Sequence, residues 1–483
     1  MELLSIQGND RAILESPLLA QMKDAERLKS LDRHHYLIHL IMEQSIAKKE
    51  EEGFIKLINI DSVTLKRYLG RNYISIVKNL INLRIIQKNE KYSKGKFSMS
   101  YRLHPSLHNR ELCYYKLQSK WFIDKLKKEY KKEYSKTTSN PLLNKILVNT
   151  ANLYLVDDSY HFLPERDRKT VSKINFGTTN KHIHFVENVL NQTRLMRYEL
   201  FRRGLLNLNS NTDPEHLFYE NAFYKPSISG YGRAYHFVTS IPRKVRKGLR
   251  TKKGELLYEV DMSSAQPSIL ILEWLKYLKQ QKVVSENEKQ EANLLYTKFI
   301  NGEIYEFIMK NSDYFGEKER DKVKVELLTT LNAKYVPSQA NKELAKILPN
   351  FMAWINRLKR EYGNKVIAKI GQSAEAKIFV DTYKNLDNKI FALIIHDCII
   401  TTIEYLELIR EHLIQRTKYL YKGIISEEHV LDKVFKTKLV SLKDKELSDL
   451  SYYKYIAEDS DVKDAFLFDF DNEYQTLKEI EES

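Results

Sequence analysis

The chain has 483 residues, 42% hydrophobic and 11% aromatic, which is apolar material for two to four packed domains and excludes a globally disordered polymer. Its net charge is +15, yet residues 457–483 carry ten acids and two lysines, which leaves +23 on the body; that surplus fits a polyanionic partner, or simply a soluble basic protein. Two cysteines exclude a disulfide framework or a cysteine-rich zinc site, and with no apolar run of about 18 residues and no signal pattern the expectation is a soluble, cytoplasmic, mainly helical protein.

Residues 1–31 read as an N-terminal arm. Helical periodicity runs from Asp32 to about Lys49, with Leu37, Leu40, Ile41 and Met42 apolar. A second helix is expected over Ser62–Leu69, stopped by Gly70, and a third over Tyr73–Leu83 behind Asn72 as N-cap. The third carries Ser75, Lys78, Asn79 and Asn82 opposite its apolar stripe, which suits phosphate or base-edge contacts. Two strand-like segments, RIIQKN and SMSYRL, follow around a tip holding Lys91, Lys94, Gly95 and Lys96. Over residues 32–105 this order resembles the winged helix-turn-helix modules of plasmid and phage replication proteins. The resemblance implies DNA contact through Ser75, Lys78, Asn79, Lys94 and Lys96; winged helices also dock proteins.

Residues 106–230 read as a helical region. Its KLKKEYKKEYSK stretch is either a solvated helix laced with ion pairs or a helix tracking a duplex backbone, and a basic run follows at Arg194, Arg197, Arg202 and Arg203. The segment Glu255–Val260 reads as a strand delivering Asp261. Two apolar strands in FALIIHDCIITTIEY flank His396-Asp397, the pattern of a hairpin with an acid at its turn. Two carboxylates on separate strands can bridge a pair of magnesium ions about 3.5–4 Å apart. Structural or capping roles are the plainer reading of either aspartate taken alone.

Taken together, the order from about 225 to 425 resembles the family A polymerases, the group of bacterial DNA polymerase I and the single-subunit phage RNA polymerases. The matching residues are Gly232-Arg233, then Ile241-Pro242 with Arg243, Arg246 and Arg250, then Asp261-Met262-Ser263-Ser264-Ala265-Gln266. Gln372-Ser373-Ala374-Glu375-Ala376 and His396-Asp397-Cys398 complete the series. The resemblance implies an α+β right-hand fold. Its parts would be a thumb-like region at 106–230, a palm at 231–285 and 361–456, and fingers at 286–360, behind the winged helix and before an acidic tail at 457–483.

It also implies catalytic Asp261 and Asp397 holding two Mg2+ ions, with Mn2+ as an alternative, and the Met262 backbone carbonyl as a further metal ligand. Arg320 and Lys324, at i and i+4, would grip the triphosphate, with Lys318 and Lys322 as a competing register. Gln266 would meet the sugar, and Arg233, His396, Gln372, Arg243 and Arg246 the primer–template.

Three departures qualify the match. Cys398 replaces the family's third acid; Glu259, on the strand face of Asp261, is either an assisting acid or, as the plainer reading, a surface salt-bridge partner. Asn332 stands where the fingers aromatic falls, with Tyr335 three residues on. Gln266 replaces a glutamate that blocks the ribose 2′-hydroxyl, and its bulk favours deoxynucleotides. The expected activity is a monomeric, exonuclease-free DNA polymerase, replicating a mobile element in a bacterial host from primer–template DNA and nucleoside triphosphates. The rivals are an RNA polymerase or primase-like enzyme on the same scaffold, and a non-catalytic replication initiator. The acidic tail reads as a solvated tail, a protein-docking peptide or a cover for the basic cleft.

Overall fold

The computed structural model describes residues 1–6, 8–47, 57–89, 99–107, 112–155, 182–183, 215, 218, 225–241, 246–333, 338–425 and 429–443. The fold is α+β, with helices predominating over small antiparallel sheets.

The expected arm is instead part of the first core. Strand β1 (Glu2–Ile6) pairs antiparallel with β5 (Leu112–Lys116), from Glu2 opposite Lys116 to Ile6 opposite Leu112. Two short helices, α1 (Asn9–Leu14) and α2 (Pro17–Ala20), then lie against α3 (Asp24–Ala47), which begins at Asp24 rather than Asp32. Asp32 is fully buried inside α3. Its carboxylate accepts from the Tyr115 hydroxyl at 2.8 Å and the Ser119 N–H at 2.7 Å, fixing the start of α6 (Lys120–Thr138).

Next come β2 (Ile58–Asn59), α4 (Ser62–Leu69), α5 (Tyr73–Asn82), β3 (Ile86–Lys88) and β4 (Ser100–Leu103), with sheet order β2-β4-β3. Asp61 caps α4 by accepting from the Thr64 N–H at 2.8 Å, and Gly70 ends it at a φ of 90° that disfavours other residues. Helix α5 buries Ile76, Val77 and Leu80 as its periodicity requires. Asn79 corrects the expectation of an outward face. It is 7% exposed and its Nδ2 donates to Ser16 Oγ and His34 Nε2, both at 3.1 Å. Asn72 makes no side-chain cap; its carbonyl accepts from Ser75 Oγ at 2.7 Å. Lys78 is exposed, whereas Lys94 and Lys96 lie outside the described residues. One hydrophobic cluster runs from Leu3 to Tyr130, so α6 belongs with this unit through Phe122, Leu126 and Tyr130.

Helix α7 (Pro141–Ala151) leaves that unit, which divides the 106–230 segment expected to be one region. Lys145 Nζ donates to the Tyr383 carbonyl at 3.2 Å and Asn149 Nδ2 to the Ala392 carbonyl at 2.8 Å. Strand β6 (Leu153–Leu155) follows, then β7 (His182–Ile183), which pairs with β5. The Arg194–Arg203 run and the acidic tail lie outside the described residues.

Strands β8 (Ser227–Ile228) and β9 (Ala234–Tyr235) pair, α8 (Phe237–Ser240) follows, and β10 (Leu249–Thr251) joins β6. The central sheet holds β11 (Tyr258–Met262), β12 (Ala392–Ile395), β13 (Cys398–Thr401) and β14 (Phe435–Leu439) in the order β12-β13-β11-β14, all antiparallel. Strand alternation gives this sheet two apolar faces. Val260, Met262, Ile394 and Ile399 enter the largest core, while Leu393, Ile395, Cys398 and Ile400 enter another with Leu147 and Phe237.

Helices cover the first face: α9 (Ala265–Lys279), α10 (Glu286–Asn301), α11 (Ile304–Lys310), α12 (Asp313–Gly316), α13 (Arg320–Asn332), α14 (Gln339–Ile347), α15 (Pro349–Tyr362), α16 (Lys365–Asn385) and α17 (Leu406–Leu420). The 286–360 helices share the core of the sheet rather than forming one of their own. Buried Glu291 locks α10 to the start of α15, accepting from the N–H groups of Asn350 at 2.9 Å and Phe351 at 2.8 Å.

Candidate active site

Strand β11 lies between β13 and β14, and its register sets the site. Asp261 stands opposite Cys398 on one side and Lys436 on the other; Glu259 stands opposite Ile400 and Lys438. Directly paired residues point to the same face, so Glu259, Asp261, Lys436 and Lys438 share one. Asp261 is the penultimate residue of β11 rather than the residue after a strand, because β11 runs on to Met262.

The β12–β13 hairpin turns through His396 and Asp397, with His396 at a φ of 53°, a left-handed conformation that histidine tolerates better than most side-chain-bearing residues. The Asp397 carbonyl receives the Met262 N–H at 3.4 Å, bringing the turn to the end of β11. Asp261 and Asp397, 136 positions apart in the chain, thus meet at one end of the sheet.

Electrostatics records that meeting. Burial pushes the Asp261 carboxyl up to about 6, the Asp397 and Glu259 charges add to the effect, and the Lys438 ammonium opposes it. Lys438 Nζ stands 3.3 Å from Asp261 Oδ2 and also pairs with Glu259. The carboxylates therefore carry more negative charge than one lysine balances, the condition that draws in a divalent cation. Hard oxygen donors suit magnesium, which takes one or two carboxylates and completes its shell with water and phosphate. Among the described residues no three His, Cys, Asp or Glu side chains converge as a closed metal cage. Asp261 and Asp397 fit an open site of oxygen donors rather than a closed cage.

Cys398 is 6% exposed, with Sγ 3.3 Å from the Ile395 carbonyl. Burial, then Glu259, Asp397 and Asp261, push its thiol well above the ordinary range, so it packs as a neutral side chain.

Around this centre, Ser264 takes a φ of 49° between β11 and α9, starting the helix that carries Gln266. Gln266 Nε2 donates to Asn332 Oδ1 at 2.8 Å, joining the start of α9 to the end of α13. Asn332 thus holds the glutamine in place.

Arg320 opens α13, pairs with Glu306 at 2.7 Å and lies 5.1 Å from the Tyr305 ring centroid. Burial raises the Tyr305 hydroxyl to about 12, with a hydrogen bond to Ser264 and the charges of Arg320 and Asp397 acting on it, so α11 reaches the carboxylate region. Lys324 is exposed one turn beyond Arg320. Lys318 lies before the helix and pairs with Glu326, which takes the competing register off a common helical face.

Gly232, at a φ of 87°, lets the β8–β9 turn approach α16, where a Cβ would stand 3.1 Å from Ala376 Cβ. Arg233 is not an unengaged cation: it forms an ion pair with Glu375 of α16. Burial still pushes Glu375 up to about 7, Arg233 opposing and Asp397 reinforcing. Gln372 is half-buried one turn earlier on α16.

His396 packs edge-on against Tyr235, with ring centroids 5.6 Å apart. His236 lies beneath, with Nε2 2.6 Å from the Ile394 carbonyl and its pKa pushed down to about 4 by burial, then by His396 and Arg246. Arg246 is near enough for its charge to act on His236; Arg243 and Tyr335 lie outside the described residues.

Sequence reasoning missed Lys438, Tyr305 and the Arg233–Glu375 pair. Only Lys438 had a local signal, the period-two lysines of FKTKL that place Lys436 and Lys438 on one strand face. No protein-family model matches this chain, and comparison with curated protein sequences finds no match.

Proposed function

We propose that the protein is a template-directed DNA polymerase of the family A type, adding deoxynucleotides to a primer 3′-hydroxyl. The observation that carries this reading is the meeting of Asp261 and Asp397 at the end of β11, under an electrostatic load that a divalent pair relieves. Residues 231–285 and 361–456 act as palm, 286–360 as fingers, and 32–105 as a winged helix that recruits DNA.

Asp261, Asp397 and the Met262 carbonyl hold Mg2+. When bound, the ions lower the pKa of the primer hydroxyl and neutralise charge on the departing pyrophosphate. Arg320 and Lys324 orient the triphosphate from one helical face. Gln266, anchored by Asn332, lies against the sugar. Lys438 ties Asp261 to Glu259 at the edge of this site. Gln372, Arg246 and His396 flank the primer terminus, and Arg233 reaches the duplex only on leaving Glu375.

Primer extension tests the reading. Wild-type protein is expected to extend a DNA primer with dNTPs and Mg2+, while Asp261→Ala and Asp397→Ala each lose at least about a thousand-fold in rate, the scale of removing a central electrostatic element. Extension that survives both substitutions removes the polymerase reading. Synthesis from NTPs without a primer redirects it to an RNA polymerase.

A further inference from the structure

Far from the acidic site in sequence, α3 and α6 pack together and present an aromatic ringed by cations. Trp121 is 47% exposed, whereas Trp274 and Trp354, the other two tryptophans, are 1% and 7% exposed. Lys29 Nζ stands 3.5 Å from its ring centroid, Arg33 Cζ 5.0 Å and Lys125 Nζ 5.6 Å. Lys29 and Arg33 are i and i+4 on α3, as Trp121 and Lys125 are on α6, so two helical faces build the cluster.

Three cations around one ring repel one another. Burial lowers the pKa of all three, and the Arg33 charge lowers Lys29 and Lys125 further. Among the described residues no carboxylate lies within ion-pair distance of the three; Glu26 and Glu129 reach Lys29 and Lys125 only through longer-range attraction. Arg33 Nε is buried with no hydrogen-bond partner among the described residues. Cation–π attraction partly offsets the repulsion, but an uncompensated cluster of this kind is best satisfied by an anion from outside.

The cluster adjoins the turn that begins α5. A Cβ on Gly70 would stand 3.7 Å from Arg33 Nη2 and 3.9 Å from Lys125 Nζ, and Lys125 Nζ donates to the Tyr68 carbonyl at 2.7 Å. A helix laid in a major groove has the duplex backbone at its ends, and α5 carries exposed Lys78 outward. Lys29 covers an indole face, so the ring acts as a seat for cations rather than a stacking platform for bases.

We infer that Lys29, Arg33 and Lys125, seated on Trp121, form a clamp for the phosphodiester backbone of duplex DNA beside α5. This site is separate from the acidic one; it rests on the reading of residues 32–105 as a DNA-binding winged helix and not on polymerase chemistry.

Because Trp121 is the one well-exposed tryptophan, its fluorescence reports the site. Titration of the full chain with a 20-base-pair duplex, without nucleotide or divalent ion, is expected to change that emission, and Trp121→Phe to abolish the change. The Lys29→Gln/Arg33→Gln variant, with an unchanged circular dichroism melt, is expected to bind about ten-fold more weakly at 0.1 M salt. Its log–log salt slope should be smaller by about two, one for each phosphate no longer neutralised. The Asp261→Asn/Asp397→Asn variant should respond like wild type, so failure of the polymerase reading leaves this test intact. An unchanged slope in the lysine–arginine variant, silent Trp121 emission, or tighter response to a single strand of equal length would overturn the clamp.

Discussion

The carboxyl of Asp261 must ionise against burial and against Asp397 to hold a cation. Its folded pKa of about 6 lies above the ordinary value of 3.8. A raised carboxyl contributes stability that is fully present below the unfolded pKa and is lost as pH rises through the folded one. Without divalent ions, Asp261 therefore costs the fold stability above about pH 6. Because the side chain is 33% exposed, solvent screening cuts the nominal cost, and Asp261→Asn is expected to be about 1 kcal/mol more stable than wild type at pH 8. Thermal melts in chelator at pH 8 and pH 4.5 check this; the gain should shrink at the lower pH. Gln266 bears on sugar choice. Gln266→Ala is expected to lower the preference for dNTP over NTP by on the order of ten-fold in kcat/KM, the scale on which one small group in a pocket discriminates. Competitive incorporation reads it directly, and an unchanged ratio removes the steric gate from this residue.

Among elements, the β8–β9 turn is tied to α16 by a partly buried pair. Arg233→Leu leaves Glu375, 3% exposed, without its counter-charge, which should cost about 3 kcal/mol, measurable by urea unfolding. Adding Glu375→Gln should recover most of the loss. Additive losses in the double variant would mean that the pair is not coupled. The β12–β13 hairpin was legible in sequence because two apolar runs flank a two-residue polar turn. Strand β1 was not. Glu2 pairs with Lys116 across more than a hundred residues, and no local pattern records so distant a partner. Asn79 misled for a related reason: polar residues read as outward unless a buried partner is known, and its partners Ser16 and His34 lie on other elements.

At the scale of the molecule, a core from Leu3 to Tyr130 stands beside the sheet and its two apolar faces. The chain order of the acidic strands could be read from the sequence. The surroundings of the site could not. Lys438, Glu375 and Tyr305 reach it from elements far along the chain, and their convergence exists only once β14, α16 and α11 have packed. The proposed activity requires two carboxylates distant in sequence to form one divalent-ion pocket. Titration of the metal-free protein with Mn2+, read by electron paramagnetic resonance at pH 8, tests it most directly. Wild type is expected to show specific binding that Asp261→Asn and Asp397→Asn each weaken by at least about ten-fold; undiminished Mn2+ binding in the double variant would contradict the account.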